Sequence, residues 1–409
     1  MQRNCLSVTL NLASMSAHGV DERDAMEDLD RRTLLRGLGG AGVAGALVLS
    51  GCGTPERKQA ADDCVSEDLS AQEKELVVSN WPEYIDEEDE GYTTTIADFE
   101  KATGIKVAYT ADVNDNNEFF AKVQNQLGSC TSTKRDMFVL TDWMAARMVQ
   151  AGWIQKLDAA NVPNLHANII DSLAKVSFDP KREYSAPWQS GLTGIAYNKS
   201  KVKEVKSFDE LLTRSDLKGR ISLLTEMNDT MGLVLLSDGA DPSKFTDGEW
   251  DKAMAKLEKA VGDGQIRSFT GNEYVQDLSA GNIVACEAWS GDVAAAEDEN
   301  LVFVPPEEGL MIWADNMLVP NKATHKANAE KWINHYYEPE IAAKLAAYVW
   351  YICPVKGAKE AMEKVDSSLV DNELIFPTDE TLATTHSFMP LKEGKQRQYQ
   401  GDFADVIGG

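Results

Sequence analysis

Short apolar runs alternate with amphipathic stretches along this chain. The runs "ELVVS" (75–79), "IKVAYT" (105–110), "DMFVL" (136–140), "GRISLL" (219–224), "NIVACEAW" (282–289), "LVFVPP" (301–306) and "GLMIWADNMLVP" (309–320) predict strands. Between them, apolar residues recur at helical spacing. "TTTIADFEKATG" (93–104) predicts a helix with Ile96 and Phe99 on one face and Gly104 as its stop. "NEFFAKVQNQL" (117–127), "DWMAARMVQAG" (142–152), "GEWDKAMAKLEKAV" (248–261), "YVQDLSAG" (274–281), "KANAEKWINHYY" (326–337) and "PEIAAKLAAYVW" (339–350) predict further helices. Such alternation argues an α/β fold with largely parallel sheets, in which ligands bind beyond the carboxyl ends of strands. No internal repeat is visible.

Composition narrows the picture. A chain of 409 residues with 43% hydrophobic residues is long enough for two domains, each with its own core. Its 66 acidic and 40 basic residues leave a net charge of −26. That charge repels phosphate, excludes nucleic acid as a partner and favours small cations.

The N-terminus carries targeting information. In "DRRTLLRGLGGAGVAGALVLSGC" (30–52), Arg31 and Arg32 match a twin-arginine export signal. The apolar Gly/Ala-rich run that follows is too short to span a bilayer comfortably, and Leu49-Ser50-Gly51-Cys52 resembles a lipobox. Residues 1–51 are therefore expected as a signal peptide, with Met15 and Met26 as alternative starts, and Cys52 as the lipidated residue. Residues 52–72, polar and poor in apolar side chains, are expected as a flexible tether. Gly37-x-Gly39-x-x-Gly42 fits a dinucleotide fingerprint, but no strand precedes it, so it belongs to the signal. Beyond Cys5 and Cys52, the cysteines Cys64, Cys130, Cys286 and Cys353 allow several pairings, and nothing in the sequence selects one.

Candidate chemistry collects where strands stop. Pro82 ends the first run, leaving Trp81, Glu83 and Tyr84 at its tip. "DMFVL" is followed by Thr141, Asp142 and Trp143, "RISLL" by Thr225, Glu226 and Asp229, and "NIVACEA" by Trp289 and Asp292. Trp313 and Asp315 lie within "GLMIWADNM", and Tyr351 follows the helix ending "AAYVW". Aromatic faces beside carboxylates suit a dry site for a polyamine. Each ammonium needs a carboxylate partner, and the methylenes between want flat apolar walls that also attract the cation.

From about residue 74 to 377 the chain resembles the spermidine/putrescine-binding proteins of bacterial ABC importers. The resemblance is carried in order by "NWPEYI", "FEKATGIKVAY", "AGWIQKLD", "YSAPWQSGLTGIAYN", "GNIVACEAWSGD" and "EEGLMIWADNMLVP". It implies a two-lobed periplasmic-binding-protein-like clamshell with mixed, largely parallel sheets and two crossovers. One lobe would span 73–192 and 314–360, the other 193–313 and 361–409. It also implies a monomer, anchored outside the cytoplasmic membrane, that hands a polyamine to a permease without metal or cofactor.

By the same resemblance, Trp81 and Tyr84 wall the methylene chain and Glu83 lies near an amine. Thr141 and Trp143 take hydroxyl and aromatic positions, Trp289 and Trp313 are the central tryptophans, and Tyr351 is a late aromatic contact. Asp315 binds an amino group, and Asp292 matches a carboxylate of putrescine-preferring members. In "TEMNDTMG" the family's acids fall on Met227 and Thr230, which leaves Glu226 and Asp229 as neighbouring candidates.

Enzyme motifs such as G-x-S-x-G and HExxH are absent, and the histidines are scattered. The acidic run from Asp86 has Ala97 where a calcium loop needs its final Glu. A carboxylate-dependent glycosidase and a binding protein for a sugar or amino acid stand as alternatives.

Overall fold

The computed structural model describes residues 64–87 and 93–408. The expected export signal and Cys52 lie outside these residues.

The strands are β1 (Glu75–Asn80), β2 (Lys106–Ala111), β3 (Met137–Thr141), β4 (Ala186–Asn198), β5 (Ile221–Leu224), β6 (Ile266–Thr270), β7 (Ala285–Trp289), β8 (Leu301–Val304), β9 (Leu310–Leu318) and β10 (Thr385–His386). The helices in the first part of the chain are α1 (Thr95–Thr103), α2 (Asn116–Gly128), α3 (Asp142–Gln150), α4 (Pro163–Asn168), α5 (Phe208–Thr213), α6 (Met227–Ser237) and α7 (Asp247–Gly262). They are followed by α8 (Tyr274–Ala280), α9 (Ser290–Ala295), α10 (Lys326–Tyr336), α11 (Pro339–Val349), α12 (Ala358–Val365), α13 (Asp379–Ala383) and α14 (Glu393–Ile407).

Local signals set many of these limits. Thr94 accepts from the Ala97 N–H to start α1, and Gly104 closes it at φ 72°. The Asp115 carboxylate takes the N–H groups of Asn117 and Glu118 at the start of α2. Thr246 and Glu249 form a reciprocal capping box on α7.

The strands form one sheet in the order β2-β1-β3-β9-β4-β7-β5-β6, with β8 beside β4 and β10 beside β9. Pairing is parallel from β2 through β1 to β3 and from β7 through β5 to β6. It is antiparallel where β9 meets β3, and where β4 meets β9 and β7. The sheet is thus mixed, with parallel ends and an antiparallel centre. β4 pairs with β9 from Ala186↔Met317 to Thr193↔Met311, then continues against β7 and β8. β4 and β9 are therefore the two strands that connect the ends.

Buried side chains gather into two main clusters. One holds Leu76, Phe99, Phe138, Trp188 and Trp332, the other Phe208, Leu223, Trp250, Met311 and Phe403. Ala361, Met362, Leu369 and Ile375 still pack in the first cluster, whereas Tyr399 and Phe403 lie in the second. α12 buries its apolar face with the first cluster, which also holds Leu224, Leu278 and Trp289.

The stretch read as a tether is docked from Cys64 onward. Cys64 is bonded to Cys130, with their Cα atoms 5.4 Å apart. The Leu69 N–H donates to Thr324 O at 2.7 Å. The N–H groups of Ala327 and Asn328 donate to Asp68 Oδ2 and Ser70 Oγ, at 3.1 Å each. His325 gives α10 no side-chain cap of its own. Side chains distant in sequence thus satisfy its first-turn donors, which have no partner within the helix. Polarity that suggested a loose linker serves here as a cap. Cys286 and Cys353 are buried free thiols.

Candidate functional site

β3 and β9 meet so that Thr141 pairs directly with Asp315. This register lets Thr141 Oγ1 donate to Asp315 Oδ1 at 2.7 Å, while Tyr84 Oη donates to Oδ2 at 2.9 Å. Tyr84 is carried there from the end of β1 by a turn in which Glu83 takes a left-handed φ of 52°. Asp315 is buried. Burial pushes its pKa up to about 7, against the two hydrogen bonds, and the charges of Asp142 and Asp229 push the same way.

Two further carboxylates are built in the same manner. Asp229, in the first turn of α6, accepts from Trp289 Nε1 at 2.9 Å. Burial raises its pKa to about 6, opposed by Trp289 and Thr193. Asp292, in the first turn of α9, accepts from Tyr351 Oη at 2.6 Å, Asn272 Nδ2 at 2.8 Å and Tyr274 Oη at 3.0 Å. Burial raises its pKa as well, against those three donors, and the charge of Glu83 adds to the rise.

The aromatic side chains form an open circuit of ring contacts that runs from Trp81 to Tyr84. Trp81 meets Trp289 edge-on at 6.2 Å and Trp289 meets Trp313 at 6.4 Å. Trp313 lies 5.5 Å from Tyr351, which meets Tyr84 at 5.2 Å. Each of the three buried carboxylates accepts a hydrogen bond from a member of this circuit: Asp315 from Tyr84, Asp229 from Trp289, and Asp292 from Tyr351. Edge-to-face contacts of this kind fix ring orientation.

Two glycines make room for the rings. A Cβ on Gly191 would lie 2.3 Å from the Trp313 ring, and one on Gly291 would lie 2.5 Å from the Tyr351 ring. Trp313 Nε1 also donates to Thr193 Oγ1 at 2.9 Å.

The structure thus brings Trp81, Tyr84, Thr141, Asp229, Trp289, Asp292, Trp313, Asp315 and Tyr351 together. It leaves three expected residues at the margin. Glu83 is exposed, and its charge reaches the site only from the rim. Trp143 sits half-buried in the first turn of α3, and no ring contact among the described residues joins it to the circuit. Glu226 is buried at the end of β5 and accepts from Asn116 rather than facing the rings.

Sequence reading did not single out Asn116, Gly191, Thr193, Asn272, Tyr274 or Gly291. Small and amide residues carry no spacing signal, and Tyr274 opens a helix rather than ending a strand, so only their contacts mark them. Among the described residues, no Lys or Arg forms an ion pair with Asp229, Asp292 or Asp315. Buried carboxylates with only neutral donors are suited to a cation that arrives from outside.

Residues 94–372 match the family described as bacterial extracellular solute-binding protein. The chain is 30% identical over 357 residues to the putrescine-binding periplasmic protein PotF of Escherichia coli, covering 82% of this chain and 88% of that protein. It is 25% identical over 347 residues to spermidine/putrescine-binding periplasmic protein 1 of Haemophilus influenzae, covering 83% of this chain and 90% of that protein. Among solved structures, it is similar to the spermidine/putrescine ABC transporter substrate-binding protein PotD of Streptococcus pneumoniae. The TM-score is 0.65 at 25% identity, over 81% of this chain and 98% of that one. Family, relatives and fold agree: the chain belongs to the bacterial extracellular solute-binding proteins.

Proposed function

We propose that this protein captures a polyamine between two lobes and delivers it to an ABC permease. A single observation carries the reading. Three buried carboxylates lack a cationic partner among the described residues, and each is held by a member of one aromatic circuit. Ammonium groups would pair with Asp315, Asp229 and Asp292. The faces of Trp81, Trp289, Trp313 and Tyr351 would replace water around the methylenes, and cation–π attraction adds roughly 0.5–2 kcal/mol per contact. Glu83 acts at the rim, drawing cations toward the cleft. The relatives' polyamine-binding names support the same assignment, and membership of a solute-binding family leaves no place for a glycosidase.

In this reading, strands β4 and β9 are the crossovers between lobes, and ligand favours the closed state because only that state contacts it from both sides. The protein works as a monomer tethered through lipidated Cys52 on the outer face of the cytoplasmic membrane. Calorimetric titration with putrescine, spermidine and maltose tests the ligand class. Saturable binding of either amine is expected, whereas binding of maltose alone would overturn it.

A further inference from the structure

The segment joining β2 to α2, Asn114-Asp115-Asn116, meets the β5 and β6 end of the sheet at several points. Asn114 Nδ2 donates to Glu273 Oε1 at 3.3 Å, and Thr225 Oγ1 donates to Asp115 Oδ2 at 3.0 Å. Gly271 lies so close that a Cβ there would be 2.9 Å from the Asn114 carbonyl oxygen.

Asn116 is fully buried, and each of its side-chain polar atoms has a partner. Its backbone N–H and its Nδ2 donate to Glu226 Oε1 at 3.0 and 2.9 Å. Nδ2 also donates to Thr141 Oγ1 at 2.9 Å, and Oδ1 accepts from the Thr141 N–H at 3.2 Å. The direction of the chain is fixed chemically. Thr141 has one hydroxyl proton and gives it to Asp315, so its oxygen must accept from Asn116. Hydrogen bonds therefore run without a break from Asp315, through Thr141 and Asn116, to Glu226 just beyond β5.

We infer that Asn116 is a positioning residue that couples the ligand-facing carboxylate Asp315 to closure of the cleft, with Glu226 as the far half of the latch rather than an ammonium ligand. For its ligand the inference rests on the polyamine reading. The Asn116–Glu226 contact joins the two sides only when they meet. A ligand that orders Asp315 and Thr141 thereby also orders the donor that Glu226 receives. Closure is favoured only by interactions that differ between the open and closed states, and this contact is one of them.

Three variants, Asn116→Ala, Glu226→Ala and Glu226→Gln, and the double variant N116A/E226A test the inference with putrescine as probe. Stopped-flow fluorescence of the cleft tryptophans should show N116A and E226A releasing putrescine about tenfold faster, the loss of roughly 1.4 kcal/mol, with little change in association rate. E226Q should remain close to wild type, because an amide oxygen still accepts from both Asn116 donors. N116A/E226A should lose less than the sum of the two single variants, since both remove the Asn116 Nδ2–Glu226 bond.

An E226Q variant as weak as E226A would make Glu226 an ammonium ligand and overturn the inference. Wild-type release rates in both N116A and E226A would overturn it too. Should N116A fail to fold, E226A and E226Q still decide. If wild type binds neither putrescine nor spermidine, the polyamine reading fails by itself. The latch is then read by small-angle scattering of ligand-free protein, where N116A and E226A should be more open than wild type and an identical profile overturns it.

Discussion

In the proposed site, Asp315 would bind an ammonium group at a cost in stability. Its carboxyl faces Tyr84, Thr141, Asp142 and Asp229, and burial lifts its pKa to about 7 from an unfolded value near 3.9. A folded pKa above the unfolded one favours the folded state fully below about pH 4, and that benefit is lost as pH rises through about 7. Ligand-free Asp315→Asn should therefore melt higher than wild type at pH 7.5, read by calorimetry. Putrescine, in contrast, needs the ionised form. Wild-type affinity should fall as pH drops through about 7, with proton release measurable in buffers of different ionisation enthalpy. Asp315→Asn should weaken binding by about 1.5–3 kcal/mol, the range for a hydrogen bond to a charged group. Unchanged affinity in that variant would remove Asp315 from the site. Gly291→Ala tests the circuit differently. Its Cβ displaces the Tyr351 ring and with it the 2.6 Å bond to Asp292, so putrescine binding should drop at least about tenfold while the circular dichroism spectrum stays native. Most rings and acids of the site were legible as residue types at strand ends. The glycines that seat them were not, because a missing Cβ matters only once a ring stands over it.

At the scale of elements, the amphipathic helices were readable and the uniformly buried ones were not. α7, with its capping box and one apolar face, follows directly from "TDGEWDKAMAKLEKAV". α6 escaped because nearly every residue from Met227 to Leu236 is buried, so no polar face marks the helical period. β4 escaped for a related reason. Its thirteen residues are all buried, and its Gly, Ser, Thr and Gln interrupt any apolar run. That omission hid the strand that runs beside both β9 and β7. The junction of the N-terminal segment with α10 has its own pH response. His325 is buried, with Nδ1 at 3.0 Å from Asp136 and Nε2 at 2.9 Å from Glu73. Burial lowers its pKa, but the hydrogen bonds and charges of Glu73 and Asp136 outweigh that and raise it above the usual value. Its stabilising effect is full below about pH 6.5 and is lost as pH rises through the higher folded value. His325→Gln should flatten this part of the stability–pH curve. Hydrogen exchange at residues 69–75 is the local measure, and equal protection in both proteins at pH 6 would dismiss the role.

For the whole molecule, the Cys64–Cys130 bond ties the start of the described chain to the end of α2 across a sequence separation of 66. Closing a loop of that length restricts the unfolded chain by about 4 kcal/mol in the chain-entropy account. Cys64→Ser/Cys130→Ser should lower the thermal midpoint while leaving putrescine affinity unchanged, since neither residue touches the circuit. Loss of affinity would show that the tie also holds the site. The sequence by itself determined the alternation of strands and helices, the repulsion of anions, and the aromatic and acidic residues gathered at strand ends. Those follow from period, net charge and side-chain chemistry, which are local or additive. Tertiary structure decided which acids lose water together, which cysteines meet, and that Glu226 turns toward Asn116 while Asp229 turns toward Trp289. Those outcomes depend on register and on distances between residues far apart in the chain, which no local pattern encodes.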